Sequence, residues 1–297
     1  MIPFVRDMDF RYGRPDQLSP LVRRLVANNP GPFTFRGTGT YIIGRGEVAV
    51  IDPGPDLPDH LEAILAATRG ETVTAIAITH THLDHSPLSA ALARATGAQV
   101  HGLPAPQGED SAIRLDEGHD HDFLPDVRIS DGDRISGPGW SLEAIATPGH
   151  ASNHICYGLK EENALFSGDH VMGWSTTVIS PPDGDMGAYY ASLEKIAARD
   201  FSRLWPTHGP PIEQVAAFLA AYRDHRLERE RQILGQIALG RGRIADMVPV
   251  IYADIDPRLH PAAAHSVLAH LIHLARTGRV ASDGEPGPRS LYRLVDH

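Results

Sequence analysis

Thr79-His80-Thr81-His82-Leu83-Asp84-His85 places four ligand-type side chains within six residues, directly after the apolar run Val73-Thr74-Ala75-Ile76-Ala77-Ile78. That run is short, rich in β-branched residues and nearly continuous in its apolarity, which predicts a strand buried on both faces of an α/β sheet. The histidines therefore fall at a strand's carboxyl end. In an extended loop, His80 and His82 at i and i+2 point to one side and can share an ion, while Asp84 and His85 turn towards a second one. Neutral imidazoles and carboxylates suit borderline divalent metals such as zinc.

Three more segments repeat the pattern of an apolar strand followed at once by a ligand-bearing loop. They are Leu142-Glu143-Ala144-Ile145-Ala146-Thr147-Pro148-Gly149-His150, Ala164-Leu165-Phe166-Ser167-Gly168-Asp169-His170 and Leu204-Trp205-Pro206-Thr207-His208-Gly209. Glycine beside the ligand permits a sharp turn and close backbone approach. Four such loops on one rim of a sheet can converge on one pocket. Upstream, Thr40-Tyr41-Ile42-Ile43 and Val48-Ala49-Val50-Ile51 flank Gly44-Arg45-Gly46-Glu47 as a hairpin that leads into Asp52-Pro53-Gly54. The lone cysteine, Cys156, sits among Ile155, Tyr157 and Leu159 in a strand-like run, a buried rather than a catalytic setting.

The order His-x-His-x-Asp-His, later His, later Asp, final His resembles the metallo-β-lactamase superfamily, over about Gly37 to Pro211. The resemblance implies an α/β fold, an αβ/βα sandwich with a two-metal site at its edge. Carried over by position, His80, His82 and His150 hold the first metal, Asp84, His85 and His208 the second, and Asp169 bridges them. Asp52 would lie behind the ligands and orient one histidine by accepting its other ring N–H. The implied reaction is hydrolysis by a metal-bridging hydroxide, with Asp84 as the catalytic residue that also orients it. Two divalent ions are the expected cofactors, zinc first, with iron or manganese as alternatives decided by availability. His154 and His170, close in sequence to ligands, are candidates for binding substrate or protonating a leaving group. His101, His119 and His121, in a surface-loop segment from Gly102 to Pro125, and His265, His270 and His273, on a helix, are read as structural or solvated.

The 297 residues suffice for one sizeable α/β domain and a small one, expected at 1–221 and 222–297, and a 42% hydrophobic content is ordinary for a globular chain. One cysteine excludes an internal disulfide framework. The start Met1-Ile2-Pro3-Phe4-Val5-Arg6-Asp7 lacks a basic leader, and no 18-residue apolar run occurs, so the expectation is a cytoplasmic protein without a membrane partner. After Pro210-Pro211 the apolar residues recur at helical spacing to about Leu239. Acids alternate with arginines through Arg223-Asp224-His225-Arg226-Leu227-Glu228-Arg229-Glu230-Arg231, read as a solvated, self-paired face. Helices over Arg243–Val248 and Pro261–Thr277 follow, then two strands around Asp283-Gly284-Glu285-Pro286-Gly287-Pro288. Three helices and a hairpin make a winged helix. From Ile212 onward eleven Arg face ten Asp and Glu, about +1, leaving about −11 of the net −10 to the first domain. Neither part is basic enough for tight non-specific duplex binding, although Arg241, Arg243, Arg276, Arg279, Arg289 and Arg293 could cluster near the wing.

This combination resembles the β-lactamase-like protein 2 subfamily, whose best-described animal member is an endoribonuclease acting on single-stranded RNA. The stretch Gly168-Asp169-His170-Val171-Met172-Gly173-Trp174-Ser175-Thr176-Thr177-Val178 and Tyr189-x-x-Ser192-Leu193 are similar to that subgroup's linker and helix. Trp174, Ser175, Thr176 and Tyr189 thereby become candidate substrate-binding residues. The usual glycine pair after Asp-His is Ser86-Pro87 here, and neither an RNA-clamping insertion nor a tRNA-binding arm is visible. The expected activity is therefore hydrolysis of an ester, thioester or lactone-like small molecule. Endonucleolytic cleavage of single-stranded RNA is the alternative, and a DNA-binding regulator acting through the winged helix is a further one. Oxygen reduction on a di-iron site would need a flavin domain that the sequence lacks.

Overall fold

The computed structural model describes residues 2–107, 118–254 and 256–295. The first sheet has seven strands in sequential order: β1 (Asp16–Gln17), β2 (Val22–Val26), β3 (Gly39–Arg45), β4 (Glu47–Ile51), β5 (Thr72–Ala77), β6 (Gln99–Gly102) and β7 (Val127–Arg128). The first four pair antiparallel and the rest parallel. The change follows from the connections, since α1 (Pro58–Ala67) and α2 (Leu88–Thr96) supply the crossovers that parallel neighbours need. The second sheet takes the order β12-β11-β10-β9-β8, from β8 (Arg134–Gly137), β9 (Trp140–Ala146), β10 (Ile155–Leu159), β11 (Ala164–Gly168) and β12 (Arg203–Pro206), with α3 (Met186–Ala197) crossing between β11 and β12.

Alternation along the strands builds the layers. Tyr41, Ile43, Ala49, Ile51, Ala75 and Ala77 face Leu142, Ala144, Ile155, Tyr157 and Phe166 between the two sheets. Their sequence neighbours Ile42, Val48, Val50 and Ile76 turn outward and pack on Ile64 of α1 and Leu92 of α2. On the other side Ile145, Cys156, Leu165 and Leu204 meet Tyr189 and Leu193 of α3 and Phe218 and Tyr222 of α4 (Val215–Ala238). This is the αβ/βα sandwich. All four ligand-bearing loops leave the sheets at the same edge.

The small module comprises the end of α4, α5 (Ile244–Ile251), α6 (His260–Arg276) and the antiparallel hairpin of β13 (Val280–Ser282) and β14 (Tyr292–Leu294). Ile233, Ile237, Met247, Val267, Leu271 and Tyr292 form its own core. The helix α4 runs unbroken through 221–222, with Tyr222 in the sandwich core and Ile233 in the small one.

The charge run on α4 departs from the solvated face expected of it. Arg226 and Glu230 are buried. The guanidinium of Arg226 donates to the Thr177 carbonyl and lies 5.3 Å from the Tyr189 ring, while Glu230 accepts from Tyr190 Oη at 3.0 Å and faces Arg279 at 3.4 Å. Helical periodicity puts these two on the side that meets α3 and α6, where charges must be paired. Arginines that could have clustered near the wing are engaged with partners. Arg276 pairs with Asp185, Arg279 with Glu230, Arg241 donates to Gln236 and Arg243 to the Arg289 carbonyl.

Candidate metal centre and cleft

Seven side chains from the four loops converge below the cleft in three overlapping groups: His80, His82 and His150; His80, His85 and Asp169; and Asp84, His85 and His208. His82 Nδ1 lies 2.9 Å from His80 Nε2 and 3.1 Å from His150 Nε2. Asp84 Oδ2 lies 3.0 Å from His208 Nε2 and 3.3 Å from His85 Nε2. Asp169 sits between the two sets, with Oδ2 3.7 Å from His85 Nε2 and 3.8 Å from His150 Nε2, and Oδ1 3.4 Å from His208 Nε2.

Nδ1 of four of these histidines is occupied by a polar partner, which orients the rings. His150 Nδ1 donates to the Val178 carbonyl at 2.7 Å, His208 Nδ1 to Gly37 at 3.3 Å and His85 Nδ1 to Asp52 Oδ2 at 2.8 Å. Thr79 Oγ1 donates to Asp52 Oδ2 at 2.7 Å and so accepts from His80 Nδ1 at 3.0 Å. In all four histidines Nε2 thereby faces the centre, where a bound cation would take the place of any proton there. Burial, then the neighbouring imidazoles, push His80 and His82 well below the usual imidazole value, so both are neutral. Burial works against ionising Asp84 and Asp169, yet His85 and His208 hold both carboxylates low. Burial likewise opposes protonation of His85 and His208, yet the two carboxylates raise both. Crowded neutral nitrogens beside two carboxylates, with His85 Nε2 and Asp169 Oδ1 buried and without a hydrogen-bond partner, fit divalent cations.

Asp52 is fully buried behind this set. It accepts from the Thr79 backbone N–H at 2.8 Å and from Thr207 Oγ1 at 3.1 Å, besides Thr79 Oγ1 and His85. Its φ of +47° lets the chain turn sharply out of β4. Two glycines are required by contact. A Cβ on Gly168 (φ +52°) would stand 2.5 Å from His154 Nε2, and one on Gly149 (φ +143°) 2.4 Å from the Tyr189 Cα.

A narrow cleft above the centre, open to solvent, is walled by Pro32, Phe33, Met172, Trp174 and Val178, with Ser175 and Thr176, over His82, Asp84, His150, Asp169 and His208. Trp174, Ser175 and Thr176 thus line the cleft. His154, His170 and Tyr189 do not; all three are buried outside this lining. His154 Nε2 accepts from the Asp169 backbone N–H at 3.1 Å and its Nδ1 donates to Thr147 Oγ1 at 2.9 Å, so it positions Asp169 from behind. Tyr189 donates to the His170 carbonyl at 2.9 Å, and burial pushes His170 down to about 3. His154 and His170 were candidates through nearness in sequence to ligands and Tyr189 through the resemblance, but the start of β10, the turn after Asp169 and the inner face of α3 point the three into the core. Cys156 is buried, and burial pushes its thiol up to about 12.

Of the two readings of His119, structural or solvated, the structure shows the structural one. Its ring packs 4.6 Å from that of His82, with Nδ1 3.0 Å from Thr81 Oγ1 and Nε2 3.3 Å from Asp183 Oδ2. Leu83 donates to the Gly118 carbonyl and Asp120 to that of Thr81, which zips the two loops together. No local pattern marks this contact, nor the cleft positions Pro32, Phe33, Met172 and Val178. Residues 108–117 of the same expected loop lie outside the described residues.

The metallo-β-lactamase superfamily model matches residues 34–208, and the chain belongs to that superfamily as a metal-dependent hydrolase. The β-lactamase-associated winged helix domain matches residues 244–289. The chain is 34% identical over 272 residues to a β-lactamase-like protein 2 homolog from Caenorhabditis elegans, covering 89% of this chain and 88% of the relative. It is also 34% identical over 258 residues to an atrochrysone carboxyl ACP thioesterase from Aspergillus chevalieri, covering 84% and 77%. A β-lactamase domain protein from Burkholderia ambifaria, 20% identical, shares the fold with a TM-score of 0.78 over 99% of this chain and 97% of that one. No helix among the described residues is long and apolar enough to cross a membrane.

Proposed function

We propose that the protein hydrolyses the acyl bond of a small ester, thioester or lactone, with zinc as the resident metal. The observation that carries this reading is the cleft lining. Its walls are apolar or hydroxylic, with no Lys or Arg among them. A polynucleotide brings one negative charge per residue and calls for a cationic track, whereas an apolar acyl group gains from burial against Pro32, Phe33, Met172, Trp174 and Val178. The thioesterase named among the relatives supports the same substrate class.

Two divalent ions held by the seven donors would lower the pKa of a water to about 7 and polarise the carbonyl. The chain's own residues do the rest. Asp84, at the cleft floor, accepts a hydrogen bond from the attacking water and aims it. Ser175 and Thr176 offer hydroxyl donors to the substrate's oxygens, and the apolar walls hold the acyl chain while excluding bulk water. His154 fixes the backbone of Asp169 and Asp52 fixes His85. The small module, ion-paired to the sandwich through Arg276 and Asp185, serves as a brace. The division at 221/222 is thus a proposed division of labour within one continuous helix.

Single-stranded RNA is kept as a second reading on one observation. Phe35 stacks on Trp174 at 4.9 Å and 18°, with Arg36 5.2 Å above the Phe35 ring, a platform on which a base could also lie. The test is the initial rate of zinc-reconstituted protein on a panel of aromatic and aliphatic acyl thioesters and on an unstructured, end-labelled RNA, with His82→Ala prepared identically. Thioester cleavage by wild type alone supports the proposal. RNA cleavage by wild type alone, without thioester turnover, overturns it in favour of the second reading.

A further inference from the structure

We propose that Asn29 and Thr38 are positioning residues for one ion of the pair, the one held by Asp84, His85 and His208. The inference rests on the two-metal reading of the centre. Thr38 is fully buried, and its hydroxyl lies 3.3 Å from Asp84 Oδ2, the same oxygen that faces His208 and His85. The hydroxyl of Thr38 has one proton to give. Asn29 Nδ2 donates to Thr38 Oγ1 at 3.0 Å, which leaves that proton for the carboxylate. Asn29 Oδ1 in turn accepts from the Thr38 backbone N–H at 2.9 Å, so the amide brackets the residue at two points. The rotor of Thr38 is thereby fixed on Asp84.

The same turn holds a second ligand. The Gly37 carbonyl accepts from His208 Nδ1 at 3.3 Å and so presents Nε2 to the centre. Gly37 has a φ of +128°, and a Cβ there would stand 2.0 Å from the Ala27 carbonyl oxygen and 3.0 Å from Asn29 Oδ1. The backbone is thus pressed against the Asn29 amide in a conformation that only glycine adopts without strain. Two of the three ligands on this side, Asp84 and His208, are therefore set by one segment of chain. On the other side, His80 and His150 are set by Thr79 and Val178. Loosening the Asn29 bracket should release one ion and spare the other.

The test is a Zn2+ titration of the metal-free full chain in competition with a chromophoric chelator, for wild type, Thr38→Val, Thr38→Ser and Asn29→Ala. Wild type is expected to take two equivalents. Thr38→Val and Asn29→Ala should keep the tighter equivalent and weaken the other by about tenfold to a hundredfold, while Thr38→Ser restores it. A second equivalent bound as tightly by Thr38→Val as by wild type overturns the proposal. So does equal weakening of both equivalents that Thr38→Ser does not rescue. A wild type that takes fewer than two equivalents refutes the two-metal reading itself, an outcome the wild-type titration alone reveals.

Discussion

Replacing Asp52 by Asn changes one oxygen for an NH2 at nearly constant volume, and asparagine tolerates the positive φ of this position. The substitution therefore isolates hydrogen-bond chemistry. Four donors converge on the carboxylate: His85 Nδ1, the Thr79 N–H, Thr79 Oγ1 and Thr207 Oγ1. Whichever way the amide turns, its NH2 meets one of them. Turned to the Oδ1 side it confronts the Thr79 N–H, which cannot reorient. Turned to the Oδ2 side it confronts His85 Nδ1, and the imidazole responds by moving its proton to Nε2. A protonated Nε2 cannot bind metal. Losing a charge-assisted bond costs about 1.5–3 kcal/mol, or roughly tenfold to a hundredfold in affinity for the ion that His85 holds. Chelator competition for Zn2+, a thermal melt and rates at limiting and saturating metal would measure this. The expected result is a folded variant whose turnover is lost at limiting metal and partly regained at excess. Wild-type affinity in Asp52→Asn would refute the tautomer reasoning.

Gly168→Ala should displace His154 from the Asp169 N–H, because the new methyl falls 2.5 Å from His154 Nε2. With about 1–3 kcal/mol of backbone strain added, metal content and melting temperature should both drop, and retention of both would show that the loop relaxes freely. Trp174→Ala removes one wall of the cleft and its stack on Phe35, a loss of about 1–1.5 kcal/mol that should raise KM for an aromatic acyl substrate roughly fivefold to tenfold with less effect on kcat. An unchanged KM would move the acyl site elsewhere. Burial holds His60 and His270 at about 4, against 6.5 for a free imidazole. The unfolded chain takes up a proton at each below 6.5 while the folded one does not until about 4. Stability is therefore full above 6.5 and falls as pH drops through that window, by roughly 3 kcal/mol per histidine at its foot. Melting temperatures from pH 7 down to 4.5 test this, and a flat profile would show that neither ring is held neutral.

Much of the site was legible because its ligands come in chain order and each follows a strand. An apolar run that ends in His-x-His-x-Asp-His declares both a buried strand and the loop at its end, so candidate ligand loops could be marked from local pattern and the resemblance to the superfamily then named the seven donors. The hairpin located Asp52, and its role behind the ligands came from the resemblance to the superfamily. For residues one step further from the ligands, place in the chain does not fix which way the side chain points. His154 and His170 neighbour ligands in sequence, but the direction of a side chain after a turn depends on φ at Gly168 and on what fills the space behind it. The charge run on α4 was misjudged similarly. Alternating signs predict a solvated face only while nothing packs against it, and α3 and α6 do.

The linear order of residues determined the strands, the ligand-type side chains at their ends and the terminal helices and hairpin, since each depends on periodicity or on short-range turn chemistry, while the sandwich and the sharing of ligands between two metals came from the resemblance to the superfamily. Three-dimensional packing alone decided which nitrogen of each histidine faces the centre, that His119 rests on His82, and that a segment near residue 30 walls the cleft and holds Asp84 and His208. Those contacts join residues 37 to 171 positions apart. No local pattern encodes such a pairing; it arises when the sheets stack and bring separate loop edges to one rim.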